Sequence, residues 1–404
     1  MNYLIVTDSF ARGIRAQDLS SLLARQLRTE LPKTRTEQII QFPIIDGGEG
    51  MVEGLVTMLL GSFLEVEATD ALGGQVVVPI GFVGDNGSIA VLRLGSVVRI
   101  EKPDVKETLV NGTTYGIGEL IRDSLDEGAF SVLLGLDEPI ARDAGLGLAA
   151  ALGVKFYDAA GELIALDKPE SDLLDRIARI DATGRSFETL SARIFLARAN
   201  ASSSFAGLHA SQAEAIEKSL VRLNSILKRD CNQEVDLSSV DTSGSCVEFG
   251  LQAFFTTEVH EGSGLMLQAS GIEQKLGDGS EFHILLAGEN VSSVIGEGAS
   301  AAGARIVEIA DRQKLPITLL LNATPGKPEI EEIKLLHPAI KEILSLPEAP
   351  LFQAPLSTNA GDEEIRRDQK MRIEKLSLKL FKSVPARRSA APTSKQAAKA
   401  ARLQ

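Results

Sequence analysis

Asp46-Gly47-Gly48-Glu49-Gly50 sets two carboxylates among three glycines, directly after the apolar run 39–45. Glycine accepts positive φ and lets bare backbone approach a ligand, and open α/β sheets bind ligands at the carboxyl ends of their strands. The same pattern also serves as a strand-to-helix turn with an acidic N-terminal cap. Three other segments pair a strand end with an acidic residue and a turn that opens a helix. They are Thr7-Asp8-Ser9-Phe10, Gly135-Leu136-Asp137 leading to Asp143-Ala144-Gly145, and Ala287-Gly288-Glu289-Asn290. Backbone N–H groups at such turns attract anions. Carboxylates beside them repel a phosphate, unless a divalent cation intervenes or a hydroxyl must lose its proton. Metal-binding acids, amide cradles and an acid that orients the nucleophile are the parts phosphoryl transfer needs. No Walker-type Gly-Lys-Ser/Thr follows these turns, and Arg12, Arg15 and Arg142 are the nearest cations.

The elements that must carry these groups alternate early in the chain. A strand ending at Asp8 precedes an amphipathic helix with Leu19, Leu22, Leu23, Leu27 and Leu31 on one face, closed by Pro32. The strand 39–45 then runs through the glycine loop into a helix bearing Val52, Leu55, Val56 and Leu59. Strand and helix in this rhythm predict βαβ units on a parallel sheet. From about residue 63, period-2 runs separated by Leu72-Gly73-Gly74 and Gly84-Asp85-Asn86-Gly87 predict antiparallel hairpins. A helix after Gly112, a buried strand at 131–135, a helix ending near Gly153 and a strand at 192–197 follow. Beyond Ser211 the pattern predicts helices at 213–228, 246–255 and 262–276, a buried strand at 282–287, a helix at 299–313 and a strand at 316–321. The expected class is α/β: a Rossmann-like parallel-sheet domain (1–62 and 206–345) with a second α/β domain inserted (63–205). A Pro-rich linker, a charged helix candidate at 362–381 and a basic tail make up 346–404.

Composition narrows the function classes. The 404 residues are 44% hydrophobic and 24% charged, ordinary values for a globular chain long enough for two cores. The net charge of −13 and the absence of Trp oppose a nucleic-acid surface. Six basic and no acidic residues at 382–404 leave an acidic body with a basic end, a candidate arm for a protein partner. No apolar run approaches the roughly 20 residues of a membrane span. Met1–Asp8 reads as a first strand and not as a signal peptide. Cys231 and Cys246 are too few for a disulfide framework or a zinc site, and reduced thiols in a cytoplasmic protein are expected. Four scattered histidines have no metal-ligand spacing.

Four motifs, in order, resemble the two-domain glycerate kinase family. Asp8-Ser9-Phe10 is similar to its D-S-F-K-G-S, and Pro43 to Gly50 (PIIDGGEG) to its P-M-A-D-G-G-E-G. TTYGIGELI, from Thr113 to Ile121, nearly repeats its T-T-Y-G-T-G-E-L-I. The segment from Gly145 to Val154 follows its G-A-G-M-L-Q-A-L-G-V. The resemblance implies ATP and Mg²⁺ as cofactors and D-glycerate as the acceptor. It places Asp46, Asp143 and Asp8 among the catalytic acids, with Asp46 and Glu49 toward Mg²⁺. Ser9, Gly47, Gly48, Glu49, Arg12, Thr113, Thr114, Arg142, Gly288 and Glu289 are then the expected substrate or nucleotide contacts.

The departures fall on polar positions. Ala11 stands where the family has Lys. Asp137-Glu138-Pro139-Ile140-Ala141-Arg142-Asp143 stands for G-G-S-A-T-N-D, and 198–204 lacks both aspartates of C-D-V-D-N-P-L. The later G-E-G-x-x-D-x-Q-T-x-x-G-K is reduced to Gly288-Glu289-Asn290, with Glu297 or a neighbour where Lys is expected. Arg12 or Arg15 could replace the missing lysine, and Arg142 could grip a carboxylate in a bidentate pair. Three readings stay open: a glycerate kinase, slow through these losses; a non-catalytic relative binding a small organic anion or a protein partner; and a structural subunit with a vestigial cleft.

Overall fold

The computed structural model describes residues 2–345 apart from 9, 11–14, 31–36, 49, 98–111, 138–140, 169–171, 187–188, 190, 199–209, 241–245, 296–298 and 324. The expected linker, charged helix and basic tail lie outside the described residues, as do Ser9, Arg12 and Glu49.

Along the chain run β1 (Asn2–Thr7), α1 (Ala16–Glu30), β2 (Ile39–Pro43), α2 (Met51–Met58), β3 (Ser62–Thr69), β4 (Gln75–Val83) and β5 (Ile89–Arg93). Next come α3 (Tyr115–Asp126), β6 (Ser131–Leu136), α4 (Leu146–Ala151), β7 (Lys155–Tyr157), α5 (Leu173–Arg176), β8 (Arg179–Asp181) and β9 (Arg193–Arg198). They are followed by α6 (Ala210–Cys231), α7 (Val247–Phe254), β10 (Thr256–Glu261), α8 (Gly262–Ser270) and α9 (Ile272–Gly277). The last are β11 (Phe282–Gly288), α10 (Val291–Val294), α11 (Ala301–Gln313), β12 (Ile317–Leu321), α12 (Lys327–Leu336) and β13 (Ile340–Ser345).

Contacts divide the chain into two units, 1–43 with 281–294 and 314–404, and 44–280 with 295–313. The first unit holds a parallel sheet in the order β13-β12-β11-β1-β2. Counted by position in this sheet, the order is 2-1-3-4-5, a doubly wound arrangement whose switch point lies between β1 and β11. Both strands are apolar almost throughout, as strands covered on two faces must be. Leu19, Leu22, Leu23 and Leu27 of α1 close one core with Tyr3, Ile5, Leu285 and Leu320.

The second unit holds a mixed sheet in the order β10-β9-β6-β5-β4-β3. β5, β6, β9 and β10 run parallel, while β3, β4 and β5 form the expected antiparallel pairs. Its boundaries differ from those expected at 62 and 206. The helix α2 belongs here because a Cβ at Gly81 of β4 would strike Val52 and Val56, so the helix lies against that strand. The long helix α6 belongs here too, since Leu220, Leu223 and Leu227 share a core with Phe156, Ile180 and Phe249. β10 was not expected as a strand: Thr256–Glu261 is polar and largely exposed, and its pairing to β9 supplies the order that its side chains do not. The helix expected at 262–276 breaks at Gly271, whose φ of +67° ends α8 and opens α9. Among the described residues no disulfide forms; Cys231 is half-buried and Cys246 buried. None of the described helices is long and apolar enough to cross a membrane.

The first sheet contains one buried titratable pair. His283 stacks on Tyr3 with ring centroids 6.1 Å apart, and its Nε2 lies 2.9 Å from Thr318 Oγ1. Burial lowers the imidazole pKa from its ordinary value of about 6.5. The unfolded chain therefore takes up a proton that the folded sheet resists. This stabilisation is complete above about pH 6.5 and is lost as pH falls toward the lower folded value. Urea denaturation should show a smaller stability at pH 5.5 than at 7.5, and His283→Gln should shrink that difference; an unchanged difference would place the pH dependence elsewhere.

Candidate functional site

β2 stops at Pro43, and Ile44 and Ile45 stay buried as the chain enters the second unit. Asp46 is half-buried, and its Oδ1 accepts from Gly48 N at 2.8 Å, closing a tight turn. Gly50, at φ +85°, caps α2 in a conformation costly for any other residue. The loop rests on β6 at Gly135, where a Cβ would overlap Gly47 O and crowd Met51 Sδ. Two glycines thus let one backbone lie directly on another at the carboxyl end of a parallel strand.

Beside this loop, β5 ends at Arg93 in register with Gly135 of β6. The Arg93 guanidinium donates to Asp137 Oδ2, and Gly95 N donates to Asp137 Oδ1 at 2.9 Å. Asp137 is therefore a paired acid, so its charge does not face the site alone. Sequence reasoning passed over Arg93; the available signal was a cation closing an otherwise apolar strand. Glu138, Pro139 and Ile140 lie outside the described residues.

Asp143 is sealed from water at 2% exposure. Its carboxylate accepts from Thr114 N at 2.7 Å, Thr114 Oγ1 at 2.8 Å, Gly145 N at 3.0 Å and Gly147 N at 3.1 Å. Thr114 Oγ1 in turn accepts from Leu148 N at 2.9 Å. One acid thus satisfies donors at the starts of both α3 and α4, which otherwise have no partner within their own helices. Burial pushes the Asp143 pKa up, and the surrounding donors pull it back. Thr113 Oγ1 donates to Leu166 O at 2.6 Å and accepts from Tyr115 N at 3.0 Å. Glu119 of the same segment accepts from Thr69 N at 2.7 Å. The expected contacts Thr113 and Thr114 thus spend their hydroxyls inside the protein. Arg142 is buried beside them, and burial lowers its pKa, with the Cys246 thiol acting in the opposite direction.

The remaining predicted residues sit in the first unit. Asp8 N donates to Ala287 O at 2.8 Å, so Asp8 flanks the carboxyl end of β11 at the switch point. Gly288 O accepts from Asn322 N at 3.1 Å and Glu289 O from Ala323 N at 2.8 Å, while the Glu289 side chain is exposed. Arg15 is engaged with Asp18 on the exposed first turn of α1. The predicted residues therefore fall into three groups: the 46–48 loop, the Thr113, Thr114, Arg142 and Asp143 cluster, and the Asp8, Gly288 and Glu289 edge. Among the described residues, no three His, Cys, Asp or Glu side chains gather as a metal site.

Asp143→Asn would turn an amide N–H toward backbone donors. It should cost about 3 kcal/mol in urea denaturation, as expected for a buried acceptor replaced by a donor. Gly135→Ala should also destabilise, by lifting the 46–50 loop off β6; wild-type stability in both variants would contradict the packing described.

The sequence pattern of the glycerate kinase family matches residues 3–351. A glycerate kinase of Haemophilus influenzae is 31% identical over 183 residues, 45% of this chain and 46% of that protein. One from Bacillus subtilis is 31% identical over 186 residues, 46% and 47% of the two chains. The chain thus spans about half the length of these curated relatives. Glycerate 2-kinase of Escherichia coli is 26% identical over 293 residues, 69% of this chain and 74% of that one. The crystal structure of a putative glycerate kinase 2 from Salmonella typhimurium superposes with a TM-score of 0.70 at 21% identity. That likeness covers 94% of this chain and 98% of the other, and it is one of fold.

Proposed function

This chain belongs to the glycerate kinase family, and from that premise we propose that it transfers the γ-phosphoryl group of ATP to a hydroxyl of D-glycerate, giving a phosphoglycerate. The observation that carries the reading is the Asp46 loop. It brings a half-buried carboxylate and bare glycine backbone to the carboxyl end of β6, next to Arg93.

In this reaction the acceptor oxygen bonds to the γ-phosphorus, the bond to the β-γ bridging oxygen breaks to release ADP, and the hydroxyl proton passes to solvent. A loose transition state asks the protein mainly for positioning and charge stabilisation. Mg²⁺ is commonly held by one or two carboxylates together with substrate phosphates. Asp46 fits that mode, with Glu49 as its partner in the same loop, and Mg²⁺ when bound neutralises phosphate charge. Arg142 is placed here as the cation for the glycerate carboxylate. Asp143, saturated by donors, acts as a positioning residue for the α3 and α4 starts and not as the base. Asp8, at the doubly wound sheet's switch point, is the first unit's candidate nucleotide contact.

A second reading is favoured by one observation. The acid that stands in the family's glycine cradle, Asp137, is locked to Arg93 and Gly95. That arrangement suits a non-catalytic relative holding a small organic anion or a protein partner. ADP release measured with MgATP and D-glycerate separates the two. The kinase reading expects glycerate-dependent turnover that falls by about 10²-fold or more in Asp46→Asn. Absence of turnover, with glycerate still raising the melting temperature, would establish the second reading.

A further inference from the structure

The helix α12 is seated shallowly on the first unit. Ile333 is its one buried side chain, while Leu335 and Leu336 are 80% and 63% exposed. Among the described residues of that unit, these are the two large apolar side chains that face water. The 3.6-residue period places Pro328, Glu331, Glu332 and Leu335 on the side away from Ile333, with Leu336 at its margin. All five are exposed. Glu331 and Glu332 each precede one of the leucines by four residues, so a carboxylate stands one turn from each. Scattered exposed leucines are ordinary; two adjacent ones rimmed by charge mark an interaction surface.

We propose that this face of α12 receives residues 365–381 of the same chain, folded as an amphipathic helix. The segment lies outside the described residues, and its sequence carries the argument. At helical spacing Ile365, Ile373, Leu376 and Leu380 form one stripe. Arg366 and Lys370 border the stripe on one side, Arg372 and Lys379 on the other. An apolar stripe between bases thus meets an apolar strip between acids. Ile373, Leu376 and Leu380 cover about two turns, the length of the α12 face. The tether also fits. Leu321 is in register with Ser345, so β13 ends at the sheet edge where the chain leaves β12 toward α12. Residues 346–361 reach up to about 50 Å at roughly 3.3 Å each, well beyond the ~15 Å length of α12. Such a tether sets an effective concentration on the order of millimolar, so a small face suffices. The proposal is independent of the phosphotransfer reading.

Hydrogen exchange on the full chain, read by mass spectrometry over residues 365–381, tests this. Wild-type amides there should exchange about tenfold more slowly than in a free peptide of the same sequence. Leu335→Asp combined with Leu336→Asp should abolish that protection, while exchange in β11 and β12 stays as in wild type. Glu331→Lys with Glu332→Lys should weaken it severalfold, and adding Arg372→Glu with Lys379→Glu should restore it. Restoration by the paired reversal is a result that a misfolded α12 does not give. Unprotected wild-type amides, or protection that no α12 substitution reduces, would overturn the proposal. Protection that grows with protein concentration would assign the face to a second copy and overturn it too. So would protection that appears only with vesicles of anionic lipid, which would make the segment a membrane-surface helix.

Discussion

The second unit is organised around a carboxyl group that water does not reach. Two helices begin within hydrogen-bonding distance of Asp143, and each begins with backbone N–H groups that its own turns leave unused. The carboxylate accepts from both sets, so α3 and α4 start from a common point. The hydroxyl of Thr114 then links the second helix back to the first.

The same economy governs the glycine loop. Asp46 closes a turn on Gly48, Gly50 supplies the left-handed step into α2, and Gly135 removes the side chain that would hold the loop away. Each is a backbone requirement, and together they leave Asp46 as the half-buried carboxylate of a rigid turn. Arg93 and Asp137 set the charge beside it. A cation pairs with an acid at the carboxyl ends of neighbouring strands, so that edge is nearer neutral than the sequence of acids suggests.

Much of the architecture was legible because its signals are local. The apolar run of β11, the leucine stripe of α1 and the Gly-rich turns between β3, β4 and β5 each identify one element without reference to the rest. What escaped was decided by distant partners. Thr256–Glu261 is a strand through its pairing with β9, and the affiliation of α2 and α6 depends on which sheet or core receives them. The candidate site divides in the same way. The glycine pattern announced the 46–50 loop. The burial that turns Asp143, Thr113 and Thr114 toward structural use, and the pairing that neutralises Asp137, depend on residues 29 to 53 positions away.

The interleaving of the two units bears on the order in which the chain takes shape at the ribosome. The strands of the mixed sheet all fall between β3 and β10, interrupted only by the separate β7–β8 pair, and can join as they emerge. β1 precedes the other strands of its sheet yet sits between β2 and β11, so one of its edges has no partner until more than 270 further residues have been added. An apolar strand kept waiting with an open edge is a template for wrong pairing. Early occupation of that edge by another chain is therefore the hazard this topology carries until β11 has been made.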